Sequence, residues 1–411
     1  MSKRRRIFAL LLTLTLVSVA GLGALEVLLR LFVPVTGQYW YFWDPALGPR
    51  IEPNHAGQHI RGNTLNARFH FNSQGWNHPD DYATQKPKGA KRVCIVGDSQ
   101  VESLQVNPDQ TMFAVAARRM TTLDRPVQWY AFANSGWGTN MAYAAIRHYA
   151  LDYNPDLVVL LFIQNDPFDC SPYIVNLGDY SPVYYLDEND TLAFNPPASK
   201  WKPSRRARFA SQSALFRYFM FQKQIYDKFL VAGTARPGIG GLPLMAEGQT
   251  GEKSVVPGLA SMSLVQRQAM TWKLVEKLLQ ACRDDCRHRG ANFAVAFRGW
   301  TAEIEAPIRG PMPAPDPKDK DPYCLVTRFG EMGREWVGPI CSKLDIPYLD
   351  LTDALRSAVT RSGKPHVFVD EHNVIVDNHY NAMSHEAVGD AMAVWANSIL
   401  ESKPAPTRAN H

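Results

Sequence analysis

The chain is short of the residues that announce a metal or a cofactor. Its 411 residues include six cysteines and eleven histidines, with no C-x-x-C pair and no histidine cluster, so no metal centre is expected. Neither G-x-G-x-x-G nor G-x-x-x-x-G-K follows the first apolar run of the main domain, which argues against a nucleotide-phosphate cradle and leaves no cofactor indicated. Excess charge is scarce too. The net charge is +5, and Lys3, Arg4, Arg5 and Arg6 supply four of those charges, so the rest of the chain is close to neutral. Nucleic acid is therefore not an expected partner. No internal repeat is apparent.

What is present is apolar: 45% of the side chains are hydrophobic, enough for one large core or two modest ones. Behind the basic tip, Ile7 to Leu25 runs nineteen residues without a charge, close to the roughly 20 a helix needs to cross a bilayer. Basic residues before it favour a cytoplasmic N-terminus. A signal peptide cleaved after Ser18-Val19-Ala20 is the competing reading. Apolar residues continue through Leu28, Leu31 and Phe32, which favours an uncleaved inner-membrane anchor with the remainder facing the periplasm. Glu26 and Arg30, four apart, suit an ion pair on one helix face. Cys282 and Cys286 share a helical stripe with Trp272, Val275 and Leu279 and read as core, as does Cys94. Cys324 with Cys341 is the expected disulfide.

Five short apolar runs read as buried strands: 92–96, 127–132, 157–163, 292–297 and 346–349. Helical spacing over 112–120, 141–151, 264–288 and 330–344 separates them, which predicts a parallel sheet covered on both faces. Boundaries follow from this. The anchor occupies 1–35, a juxtamembrane lead-in 36–90, the first half of the core 91–166, an insertion or lid 167–262, the second half 263–402, and a disordered tail 403–411. Helix-like residues from Ala214 to Leu230, with Leu215, Phe216, Phe219 and Phe221, make the insertion a candidate lid. Residues 306–322, with six prolines, read as an extended loop.

Sites on such sheets lie at the carboxyl ends of strands. Val96-Gly97-Asp98-Ser99-Gln100 puts a serine hydroxyl on a turn after the first strand. A serine is a weak nucleophile without a base and oxyanion donors. Candidates for both lie downstream: Asn134-Ser135-Gly136-Trp137-Gly138 after the second strand, Gln164-Asn165-Asp166 after the third, and Asp377-Asn378-His379-Tyr380-Asn381 near the C-terminus. Asp98 and Asp166 read as organisers of their turns, and no G-x-S-x-G elbow surrounds Ser99.

These four blocks, in this order, resemble the SGNH, or GDSL-type, hydrolase superfamily in its membrane-anchored bacterial form. Asn72-Ser73-Gln74-Gly75-Trp76 resembles its lead-in. The resemblance implies a flavodoxin-like three-layer α/β sandwich with a five-stranded parallel sheet, and ester hydrolysis or acyl transfer. It implies Ser99 as nucleophile, His379 as base and Asp377 as the carboxylate behind it. The oxyanion hole would be formed by the N–H groups of Ser99 and Gly136 and the amide of Asn165. Asp370-Glu371-His372 repeats the Asp-x-His spacing and is the rival pair. Ser103, Gln105 and Ser384 stand where the family usually has glycine.

The expected substrate is an O-acylated compound, in the first instance a polysaccharide, with Trp137, Phe168 and Tyr173 available to stack on sugar rings. Acyl transfer to a hydroxyl acceptor and non-catalytic glycan or partner binding are the alternatives. The oligomeric state is open.

Overall fold

A computed structural model describes residues 2–37, 40–120, 126–175, 181–197, 205–223, 258–310 and 322–402, with 177, 200, 202, 238–239, 242–243 and 256. Side chains are described outside 207, 238–239, 242–243 and 322–332. Helix α1, Lys3–Phe32, is long and apolar enough to cross a membrane, with a mean hydropathy of 2.3 over its best window. Two hairpins follow, β1 Tyr41–Asp44 with β2 Gly48–Ile51 and β3 His55–Arg61 with β4 Leu65–Phe71. The alternation over Ala67 to Phe71 marks the second of these; the first carries no such pattern.

The core begins with β5 Lys91–Gly97, a one-turn helix α2 Ser99–Glu102, α3 Met112–Met120, β6 Val127–Ala133, α4 Thr139–His148 and β7 Leu157–Phe162. After β7 come a short helix α5 Asp166–Asp169, a hairpin β8 Val183–Leu186 and β9 Leu192–Asn195, and helices α6 Arg205–Ala210 and α7 Ala214–Arg217. A π-helical turn, Tyr218–Gln222, extends α7. The pair β10 Gly238–Ile239 and β11 Leu242–Pro243 completes what is described of the insertion. The remainder of 224–257, including most of the stretch from Gly233 to Gly258, and the tail 403–411 lie outside the described residues. The core resumes with α8 Leu264–His288, β12 Asn292–Phe297, α9 Thr301–Arg309, α10 Pro322–Lys343 and β13 Tyr348–Asp350. It ends with α11 Thr352–Ser362, β14 Val367–Val369, β15 Ile375–Tyr380 and α12 Ala382–Glu401.

The main sheet runs β13-β12-β7-β5-β6, all neighbours parallel. In order of appearance this is 2-1-3-4-5, the flavodoxin-like doubly wound order. Side chains alternate across it. Cys94 and Val96 of β5 pack with residues of α4 and α8, whereas Val93 and Ile95 pack with α3, α11 and α12. Both faces are thus buried, which is why β5 and β7 read as continuous apolar runs. Each fully buried aliphatic side chain contributes about 1.5–3 kcal/mol.

A buried ion pair holds the lead-in together, and Tyr149 of the core bonds to it. Arg50 and Asp44 are 2.9 Å apart with both side chains 3% exposed. The Arg50 guanidinium lies 3.6 Å from the Trp76 ring centroid and donates to the carbonyls of Gln74 and Gly75, while the Tyr149 hydroxyl donates to Asp44.

Two sequence expectations are corrected. Cys324 and Cys341 lie on one helix, α10, seventeen residues apart. At 1.5 Å per residue that is ~25 Å, against less than about 7 Å for a disulfide. Cys341 is a free, buried thiol. The expected loop over 306–322 begins inside α9, which continues to Arg309 despite Pro307. Proline has no N–H for the carbonyl four residues back, and the Arg356 Nε donates to that carbonyl of Glu303 at 3.2 Å instead. Residues 311–321 lie outside the described set.

Candidate active site

Ser99 opens α2 where β5 leaves the sheet, and Asp98 caps this helix by accepting the Gln100 N–H at 3.0 Å. Half-exposed, its hydroxyl lies 2.8 Å from His379 Nε2, nearer than the 3.3 Å to Asp98 Oδ2. On the other side of the ring, His379 Nδ1 donates to Asp377 Oδ1, which also accepts the His379 backbone N–H at 3.0 Å. Asp377 and His379 are two apart on β15, and that spacing places side chains on one face of an extended strand. The Asp377 carboxyl is 1% exposed and its second oxygen accepts from Arg61 at 3.0 Å. Burial alone would raise its pKa. The hydrogen bond and charge of His379, with Arg61 behind them, pull it down to about 2.

The rival pair is elsewhere. Asp370 Oδ1 accepts the backbone N–H groups of His372 and Val374 at 2.9 Å, so its carboxylate organises the turn between β14 and β15. The His372 ring is 79% exposed.

Gly136 and Asn165 follow β6 and β7, the two strands flanking β5. The Gly136 backbone has φ +79° and a Cβ there would meet open space, so it is conformation that requires glycine. At Gly138 the reason is contact, since a Cβ would come within 2.6 Å of the Cys170 amide. Asn165 is half-buried, and its amide donates to Asp169 at 2.6 Å, leaving its second N–H for another acceptor. Asp166 accepts the Ile163 N–H at 2.8 Å. Burial pushes the pKa of Asp166 well up, with Asp98 adding charge repulsion.

Several groups at the site have no signal in the sequence pattern. Gln100, 4% exposed, donates to the Asn378 carbonyl at 3.1 Å and accepts from the Tyr380 N–H at 3.0 Å. One side chain thereby holds the backbone on both sides of His379. Glu102 accepts from the backbone and hydroxyl of Ser135, next to Gly136. Arg61 comes from β3, far away in sequence. Only Asp169, one helical turn after Asn165, stands at a spacing that points to it.

Two of the departures from glycine now have a physical reason. Ser103 has φ +58°, a left-handed conformation that glycine adopts freely, and its hydroxyl donates to the Gln100 and Val101 carbonyls. Ser384 donates to the His366 carbonyl at 2.6 Å. The expectation for the aromatics fails. Trp137 is 4% exposed and Phe168 and Tyr173 are fully buried, because they pack in the core beneath α4 and α8. They offer no face to a sugar.

No protein-family model matches the chain, and no curated protein matches its sequence. Solved structures do match. TesA is 11% identical with a TM-score of 0.37, covering 75% of this chain and 99% of its own. A lipolytic protein of the G-D-S-L family from Desulfitobacterium hafniense is 10% identical with a TM-score of 0.34, covering 74% and 99%. The psychrotrophic esterase EstA from Pseudoalteromonas is 10% identical with a TM-score of 0.36, covering 76% and 100%.

Proposed function

We propose that the chain is an SGNH-type serine esterase, tethered by α1 in the inner membrane with its catalytic domain on the periplasmic side, that hydrolyses O-acyl esters of an envelope or extracellular glycan. One observation carries this reading: a single histidine, His379, lies within hydrogen-bond reach of both the Ser99 hydroxyl and the buried Asp377 carboxylate.

In the first step His379 Nε2 takes the Ser99 proton as Oγ forms a bond to the ester carbonyl carbon. The carbonyl oxygen becomes an oxyanion, held by the N–H groups of Ser99 and Gly136 and by the Asn165 amide. Collapse breaks the bond to the alkoxy group, which leaves with the proton from His379. Water then attacks the acyl-enzyme by the same route in reverse roles, releasing the acid and restoring Ser99. Asp377 fixes the tautomer that presents Nε2 to Ser99 and stabilises the imidazolium.

Hydrolysis of short-chain p-nitrophenyl esters by the full chain in detergent tests this. Ser99→Ala and His379→Ala should abolish turnover, and His372→Ala should retain it. A well-folded wild type with no turnover and no labelling of Ser99 by a fluorophosphonate would leave non-catalytic binding as the better reading. Transfer to a sugar hydroxyl uses the same acyl-enzyme, and products from an acyl donor with a glycan acceptor decide between free acid and acylated glycan.

A further inference from the structure

Residues 200–223 contain seven basic side chains, Lys200, Lys202, Arg205, Arg206, Arg208, Arg217 and Lys223, and no acidic one. The chain as a whole is near neutral beyond its N-terminal tip, so this is a local concentration of charge. Lys202, Arg205 and Arg206 are exposed. Among them stand exposed aromatics: Phe209 is 78% exposed, Phe219 41% and Phe221 46%. Basic residues interleaved with exposed phenylalanines are the composition of elements that lie in a membrane interface.

Position supports the same assignment. Glu26, more than a turn before the end of α1, accepts from the Ser213 hydroxyl and the Ala214 and Leu215 N–H groups, each at 2.8 Å. Arg30 donates to the Gln212 carbonyl at 2.7 Å. Arg217 donates to the Thr36 carbonyl, and the Gln222 amide bonds Pro34 and Thr36. The segment is therefore stitched along the last turns of α1 and the residues just after it. The apolar surface of α1 is exposed at the same level, with Leu31 68% and Phe32 74% exposed.

We infer that residues 205–223 form a second membrane-seating element, which inserts Phe209, Phe219 and Phe221 into the interface and sets the exposed Arg205 and Arg206 against anionic phospholipid headgroups, while Arg208 pairs with Glu52 and Arg217 holds the segment to Thr36 just after α1. This rests on α1 being the membrane helix of the proposed function. Exposed phenylalanine favours the interface over water by burial of apolar area. Each arginine near an anionic surface is worth about five-fold in partitioning, the roughly 1 kcal/mol expected of a basic residue there. Seating also reaches the site. The Gly62 N–H donates to the Gln222 carbonyl at 2.9 Å, and Arg61, the preceding residue, bonds Asp377.

The test uses the full chain in nanodiscs of phosphatidylcholine with phosphatidylglycerol. Nitroxide labels are placed, in a Cys324→Ser background, by Phe209→Cys, Phe219→Cys, Leu16→Cys within α1 and Lys364→Cys on the exposed surface. Collision with oxygen and with a water-soluble nickel chelate is then measured. The inference expects positions 209 and 219 to favour oxygen, short of the value at 16, and 364 to favour nickel. Arg205→Glu with Arg206→Glu should move 209 and 219 toward nickel. Nickel access at 209 and 219 with position 16 in hydrocarbon overturns the seating element and leaves the anchor standing. Nickel access at position 16 overturns both. Protection from nickel that rises with protein concentration and ignores the anionic lipid overturns it in favour of a second copy of the chain.

Discussion

Arg61, on the lead-in hairpin, and Asp377, on the penultimate element of the chain, meet at 3.0 Å across 316 residues of sequence. The candidate triad thus has a fourth member supplied by a segment that precedes the catalytic fold. Arg61 holds Asp377 from the side opposite His379 and shares in lowering its pKa to about 2. Removing the cation takes away one of the interactions that keep the Asp377 carboxyl ionised. Arg61→Ala is therefore expected to move the acid limb of the kcat/KM profile to higher pH, with Arg61→Lys restoring part of the shift. Superimposable profiles would refute a positioning role.

Gln100 makes a sharper prediction, because it touches the backbone at Asn378 and Tyr380 and leaves the His379 ring alone. Gln100→Ala releases both bonds. A displacement of about 1 Å at a reacting group costs on the order of 10²-fold in rate, so kcat should fall by that order with KM little changed. Steady-state kinetics separate the two, and a variant that loses KM and keeps kcat would place Gln100 in substrate binding.

Glu102 links the site to pH through stability. Burial, with the charge of Asp98 adding, pushes its pKa from 4.5 up to about 7, against the hydrogen bonds from Ser135. Between these values the folded chain keeps a proton that the unfolded chain has released. Its contribution is complete below pH 4.5 and is lost as pH rises through 7. Glu102→Gln cannot ionise, so its Tm should fall less than that of the wild type between pH 5 and 8. Parallel Tm curves would show that Glu102 ionises normally.

The Arg50–Asp44 pair governs the lead-in. Removing one partner of a buried pair costs about 3–5 kcal/mol, because it strands the other charge. Asp44→Ala should destabilise by that amount in urea unfolding of the detergent-solubilised chain. Pairing Asp44→Leu with Arg50→Met should cost less than Asp44→Ala alone; equal or greater loss would mean that the Tyr149 and backbone bonds matter more than the charges.

The sheet was legible because its strands are buried on both faces, and continuous apolar runs such as Val93 to Val96 have few other readings. Ser99, Gly136 and Asn165 were legible as candidates because each follows such a run. The side chains that hold His379 and Asp377 in place were not. Gln100 and Arg61 act through backbone and carboxylate groups distant in sequence, and nothing local to either position marks those contacts. Trp137, Phe168 and Tyr173 misled for the converse reason: proximity in sequence to a site does not say which way a ring points, and aromatic area is most often spent on the core. Cys324 and Cys341 misled because a proline-rich approach hid a helix that begins at Pro322.

The residues after α1 leave little slack. Val33 still bonds back to Leu29, Pro34 and Thr36 are held by Gln222, and Gly37 bonds Gln58. A flexible leash would let a catalytic domain sweep a volume that grows with its length. A stitched post of this kind fixes reach instead: in the tethered esterase proposed above, only an ester arriving at the height of Ser99 would be processed, and lengthening the stalk by a few residues would change which esters arrive without altering the chemistry.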